Sequence, residues 1–236
     1  MSHAFSRLRP ANAIDSGTIE ALKWLAFASM TVDHVNRHLL NSAYPIMFHM
    51  GRLAMPLFIF VLAYNLARPE ALSNGAAQRV LRRLVPFAIL SSLPYMELNL
   101  APIGWRPLNI LFTLAAGIFC IILIRRPGIA SRLAAVVLFG MAGWLVEYGW
   151  AAIGMLICAW HFFRAPNLFW SSATIILMIL RGFEDGSHWL LTAIPVMGLG
   201  YYVRIDLPRW RNALYYFYPF HLAVIVVLKI MIFGNE

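Results

Sequence analysis

Nine apolar runs of helix length, separated by short joints that hold most of the arginines, leave this sequence few ways to fold. A helix of about 20 apolar residues crosses the hydrocarbon of a bilayer. Within lipid, only helices and closed barrels satisfy every backbone N–H and C=O internally. The runs here are not the roughly ten-residue alternating segments of a barrel. They cover residues 18–40, 44–67, 79–99, 107–124, 130–147, 148–163, 167–181, 187–203 and 211–233. Those at 148–163 and 167–181 are short for a bilayer about 30 Å thick. The expected fold class is all-α, a polytopic transmembrane helix bundle of about nine helices. Residues 1–17 form a polar cytoplasmic segment without the apolar core of a signal peptide. Residues 18–233 form a single integral-membrane domain.

Composition weighs against a soluble alternative. The chain is 61% hydrophobic and 12% charged, where a soluble domain carries about a quarter charged residues. A net charge of +9 would suit nucleic acid, but the arginines fall between apolar runs, where topology explains them. The expected partner is therefore the lipid bilayer and not nucleic acid. Cys120 and Cys158 sit inside apolar runs and read as small core residues.

The arginines also orient the chain. Alternate joints carry Arg7 and Arg9; Arg68, Arg79, Arg82 and Arg83; Arg125, Arg126 and Arg132; Arg164; and Arg204, Arg209 and Arg211. The opposite set holds little beyond Arg37, Arg106 and Arg181. Positive charge stays on the cytoplasmic side, so the N-terminus is expected inside and, with an odd helix count, the C-terminus outside.

The first run, Thr18 to Leu40, carries Lys23, Asp33 and His34, and charge inside a spanning helix needs a partner or a purpose. Lys23 and His34 are eleven positions apart, about three turns, so both share a face roughly 16 Å apart along the axis. His34 lies about 9 Å below the outer end, and Arg52 on the second run reaches nearly the same depth. Asp33 and Arg52 are thus expected to pair, with Asp33–Arg37 as the i,i+4 competitor. Glu97, Asn109 and Glu147 fall near the outer ends of their runs, and His221 near the middle of the last. Several helices therefore aim polar groups at the outer half. His34 and His38 at i,i+4 could hold a metal, but no acid accompanies them in ligand spacing and no metal is expected. His38 is expected to reach the interface. Ser29, Ser91, Ser92 and Thr113 read as interhelical glue.

Along residues 20 to 230 the chain resembles the TraX family of conjugative pilin acetylases. LKWLAFASMTVDHV is similar to that family's opening helix, and GRLAMPLFIF to its second. NILFTLAAG, EYGWAAIG and YYFYPFHLAVI resemble its later motifs. Glu147 stands where that pattern more often carries Asp. More distantly, the first helix resembles membrane acyltransferase-3 enzymes, which show Arg, ten residues, then a catalytic His. Here Lys23 takes the arginine's place and His34 that of the histidine.

The resemblance implies a multi-pass protein of the bacterial inner membrane. It implies transfer of acetyl from acetyl-CoA to the N-terminal amine of a pilin subunit. Catalysis would fall to His34 and Asp33, and Lys23, Arg52, Asn109, Glu147, Tyr218 and His221 would bind substrate. Chemically, His34 suits either a base for the amine proton or a nucleophile that carries acetyl. Adjacent side chains on a helix diverge, so Asp33 should set the local field and anchor Arg52. The imidazole's orienter should come from another helix, with Glu97, Glu147 and Tyr218 as candidates. The phosphates of acetyl-CoA are expected at arginines from Arg79, Arg82, Arg83, Arg125 and Arg126, with Arg82 and Arg83 foremost. A small transporter or proton-coupled carrier, with Lys23, Asp33 and His34 lining a polar path, is the alternative.

Overall fold

The computed structural model describes residues 14–98, 104–210 and 212–234, which are helical apart from joints and one isolated parallel bridge between Leu108 and Val146. The helices are α1 (Ser16–Leu39), α2 (Pro45–Gly51), α3 (Ala54–Ala67), α4 (Ala76–Glu97) and α5 (Ile110–Arg125). They continue with α6 (Ile129–Leu145), α7 (Gly149–Arg164), α8 (Leu168–Glu184), α9 (Ala193–Leu199) and α10 (Ala213–Phe233). The segment 1–13, with Arg7 and Arg9, and Arg211 lie outside the described residues. Among those described, two helical stretches are long and apolar enough to cross a membrane, Pro45–Ala67 and Tyr215–Phe233.

Local chemistry sets the helix ends. The Asp15 carboxylate accepts from Gly17 N–H to open α1, Asn109 caps α5, and Asn167 accepts from Trp170 N–H to open α8. The run at 44–67 is not one helix. Pro56 has no N–H to give the Arg52 carbonyl, and the chain turns at Arg52–Leu53 with tight bonds from Arg52 N–H to His49 O and Leu53 N–H to Met50 O. The run at 187–203 also departs from expectation: a 3-10 turn at His188–Thr192 leads into the short α9. Ser91 and Ser92 bond back to Phe87 O and Ala88 O of their own helix instead of bridging helices. Thr113 does bridge, donating to Glu147 O.

The bundle has two chemically distinct ends. At one, Tyr64 Oη accepts from Ile14 N–H, Thr18 Oγ1 donates to Val203 O, and Trp160 Nε1 donates to Leu66 O. These bonds gather the α1 start, the α3 and α7 ends and the 200–210 joint, with the described arginines of the first set. At the other end the α4–α5 joint is pinned to the α6–α7 joint by Leu108 N–H to Leu145 O and Glu147 N–H to Leu108 O. A continuous core of Leu57, Ile59, Ile118, Met155 and Leu156 runs between them.

Candidate active site

Close packing of α1 on α2 builds the first part of the site. A Cβ on Gly51 would lie 2.3 Å from Asp33 Cβ, so only glycine lets the helices approach this far. That approach sets Arg52 Nη2 2.6 Å from Asp33 Oδ2, inside hydrogen-bonding range, so Asp33 pairs with Arg52 and not with Arg37. Arg52 Nη1 also reaches Asp185 at 3.7 Å. Asp185 in turn bonds Arg181, which holds Glu184 at 2.6 Å and lies over the Tyr148 ring. Tyr148 itself takes φ +63 between α6 and α7, a strained conformation for a residue with a Cβ. Five charged groups from α1, the α2–α3 turn and the α8 end thus form one network, of which the Asp33–Arg52 link is the part expected from sequence.

The next residue on α1, His34, belongs to a histidine pair. His34 Nδ1 is 3.0 Å from His221 Nε2 of α10, and the ring planes are within 4°. His221 is 5% exposed and its Nδ1 lies 3.1 Å from Phe217 O. The partner of the His34 imidazole is therefore His221, and not Glu97, Glu147 or Tyr218. Glu97 is exposed at the α4 end. His38, in the last turn of α1, is 9% exposed, and its Nε2 has no partner among the described residues. The described residues contain no cluster of three or more metal-ligating side chains.

A cavity of about 1040 Å³ lies toward the arginine-rich end. Among the described residues, Lys23, Arg68, Arg79, Arg83 and Arg209 line it against the single carboxylate Glu70. It extends inward past Phe58, Leu62 and Leu114 to Phe27, Tyr218 and the first turn of α5 at Ile110 and Leu111. That turn belongs to the opposite end of the bundle, so the cavity covers most of the bundle's length. Neither His34 nor His221 lines it. Tyr218 stands edge-on to His221 with centroids 5.4 Å apart, and Phe27 meets Phe217 at 5.1 Å, so one layer of rings separates cavity from histidines.

The other expected site residues divide clearly. Lys23 lines the cavity and bonds Glu20, a 1%-exposed carboxylate that the sequence reading missed. Arg83 faces the cavity. Arg82 is exposed and does not line it, nor do Arg125 and Arg126. Arg79 and Arg83 are one helical turn apart, whereas Arg82 points about 100° away from Arg83, and a helical wheel started at Ala76 separates them. Asn109 is fully buried, and both ends of its amide are occupied: Nδ2 donates to Ala88 O and Oδ1 accepts from Leu111 N–H. It serves as the α5 cap and as an interhelical tie. Glu147 holds the α6–α7 joint through its backbone.

Comparison with known proteins gives a single direction. The TraX family model, "TraX protein", matches residues 18–229. "Protein TraX" of Escherichia coli is 27% identical over 226 residues, covering 91% of this chain and 88% of that protein. No solved structure matches significantly.

Proposed function

Because the chain belongs to the TraX family, we propose that it is a polytopic membrane acetyltransferase that moves acetyl from cytosolic acetyl-CoA to the N-terminal amine of a conjugative pilin subunit. The observation that carries this reading is the cavity, about 1040 Å³ with five cations against one acid among the described residues. That volume is at the upper end of small-molecule sites, and the lining suits a long, polyanionic, partly apolar donor. In this reading the phosphates of acetyl-CoA meet Arg79, Arg83 and Arg209, since guanidinium forks match phosphate oxygens. The pantetheine arm follows Phe58, Leu62 and Leu114, and the thioester reaches Phe27 and Tyr218.

Membrane insertion is supported by the outward faces. Ile129, Leu133, Val136, Met141 and Trp144 of α6 are each more than half exposed, as are Leu168, Phe169 and Phe183 of α8. Contiguous apolar surface of this kind calls for a covering partner, and lipid is the one that fits several helices at once.

The acceptor amine comes from the opposite end, beside the Asp33–Arg52–Asp185 network. The amine nitrogen attacks the thioester carbonyl, the C–S bond breaks, and CoA leaves as thiolate. His34 takes the amine proton and returns it to sulfur; a positioned base of this kind contributes about a hundredfold or more. The layer of Phe27, Phe217 and Tyr218 parts to let the two substrates meet.

The test is co-expression with the pilin and intact-mass measurement. The pilin should gain one acetyl group at its N-terminal amine. An unchanged mass, with the protein present in the membrane fraction, refutes the proposal.

A further inference from the structure

The histidine pair contains its own proton inventory. His221 Nδ1 lies 3.1 Å from Phe217 O. A carbonyl oxygen only accepts, so His221 Nδ1 carries a hydrogen. In neutral imidazole the other nitrogen is then a bare acceptor. His221 Nε2 faces His34 Nδ1 at 3.0 Å, so the hydrogen between them belongs to His34 Nδ1. The rings are coplanar to within 4°, and their centroids, 5.3 Å apart, exceed the N···N distance by about one ring diameter. They therefore meet edge to edge, with the hydrogen aimed along the lone pair, and are not stacked face to face. His34 Nε2 is left with its lone pair, and no protein group bonds it among the described residues.

We infer that His221 is a positioning residue: through the Phe217 carbonyl it locks His34 as the Nδ1–H tautomer and so presents Nε2 as the basic nitrogen. This rests on the reading of His34 as the base. The arrangement matches the logic by which a hydrogen bond at one imidazole nitrogen decides the state of the other. Here the orienting acceptor is a second imidazole, itself oriented by a backbone carbonyl one helical turn away.

Three variants separate positioning from packing. In His221→Gln the amide oxygen reaches the place of Nε2 and still accepts from His34. In His221→Asn the amide reaches only the place of Nδ1, keeping a bond to Phe217 O but offering His34 nothing. His221→Leu keeps bulk alone. Positioning predicts that kcat for acetyl transfer falls about tenfold to a hundredfold in Leu and Asn. Gln should stay within about fivefold of wild type, and KM for acetyl-CoA should hold in all three. Equal losses in Gln and Asn overturn the inference.

A second measurement needs no activity. Nitrogen-15 spectra of histidine-labelled protein, with the His34 signals assigned by their loss in His34→Ala, should show Nδ1 protonated and Nε2 bare. A protonated Nε2 on His34 in the wild type overturns the inference. Absence of acetyl transfer by the wild type would instead defeat the proposed function, and the spectrum would still decide the tautomer.

Discussion

Replacing Gly51 by alanine attacks the site at its tightest contact. The new methyl would stand 2.3 Å from Asp33 Cβ and 2.7 Å from Asp33 Cγ. Carbon atoms settle at about 3.5–4.0 Å, so α1 and α2 must part by more than about 1 Å. The Asp33–Arg52 bond, now 2.6 Å, would open beyond the roughly 3.2 Å limit of a good hydrogen bond. Overpacking costs about 1–3 kcal/mol, and breaking a buried ion pair about 3–5 kcal/mol. One movement causes both, so the costs overlap instead of adding, and a loss of about 3 kcal/mol is expected. For a chain of this size that corresponds to about 6–12 °C in melting temperature. Thermal unfolding of the detergent-solubilised protein measures it. Gly140→Ala on α6 is the control, since a Cβ there meets nothing within 4 Å, and it should stay within about 1 kcal/mol of wild type. A Gly51→Ala protein that melts with the wild type would refute the close-approach argument.

Other expectations follow from the placement of single residues. Arg83→Ala should raise KM for acetyl-CoA at least severalfold while Arg82→Ala leaves it unchanged, because only Arg83 lines the cavity; equal effects would remove the cavity as donor site. Asn109→Ala removes the α5 cap and one of the donors to the Ala88 carbonyl, to which Ser92 Oγ still donates, and should cost about 0.5–2 kcal/mol in unfolding experiments with little effect on KM. Reporter fusions at Gly75 and Gly234 should report opposite sides of the membrane, and same-side signals would contradict the orientation.

The residues show which parts of this structure were legible in advance. The depth match of Asp33 with Arg52 follows from rise per residue, because a hairpin of two helices brings equal depths together, while the choice of Arg52 over Arg37 is made by the close approach at Gly51. The gathering of arginines at one end follows from alternation of the joints. Helix rotation was harder to read. His34 and His221 are 187 positions apart, and the face that α10 turns to α1 is decided by packing of Trp24, Phe27 and Phe217. Their meeting left no local trace in the sequence. Asp185 joins Arg52 for the same reason, from a helix end whose approach is set by long-range packing. The break at Arg52–Leu53 did carry a signal, the missing N–H of Pro56, and the turn of Arg82 away from the cavity carried one in its offset of about 100° from Arg83. The capping role of Asn109 was hard to read, because a buried amide near a helix start serves as a cap as readily as it serves a ligand.

The central claim is that His34 is the group through which acetyl transfer proceeds. The most direct measurement compares His34→Ala and His38→Ala, each co-expressed with the pilin, by intact mass of the pilin and by membrane content of the variant. The account predicts no acetylated pilin with His34→Ala at wild-type membrane levels, and substantial acetylation with His38→Ala, whose ring is centred 6.1 Å from that of His34. Pilin acetylated at the wild-type rate by the His34→Ala protein would contradict it.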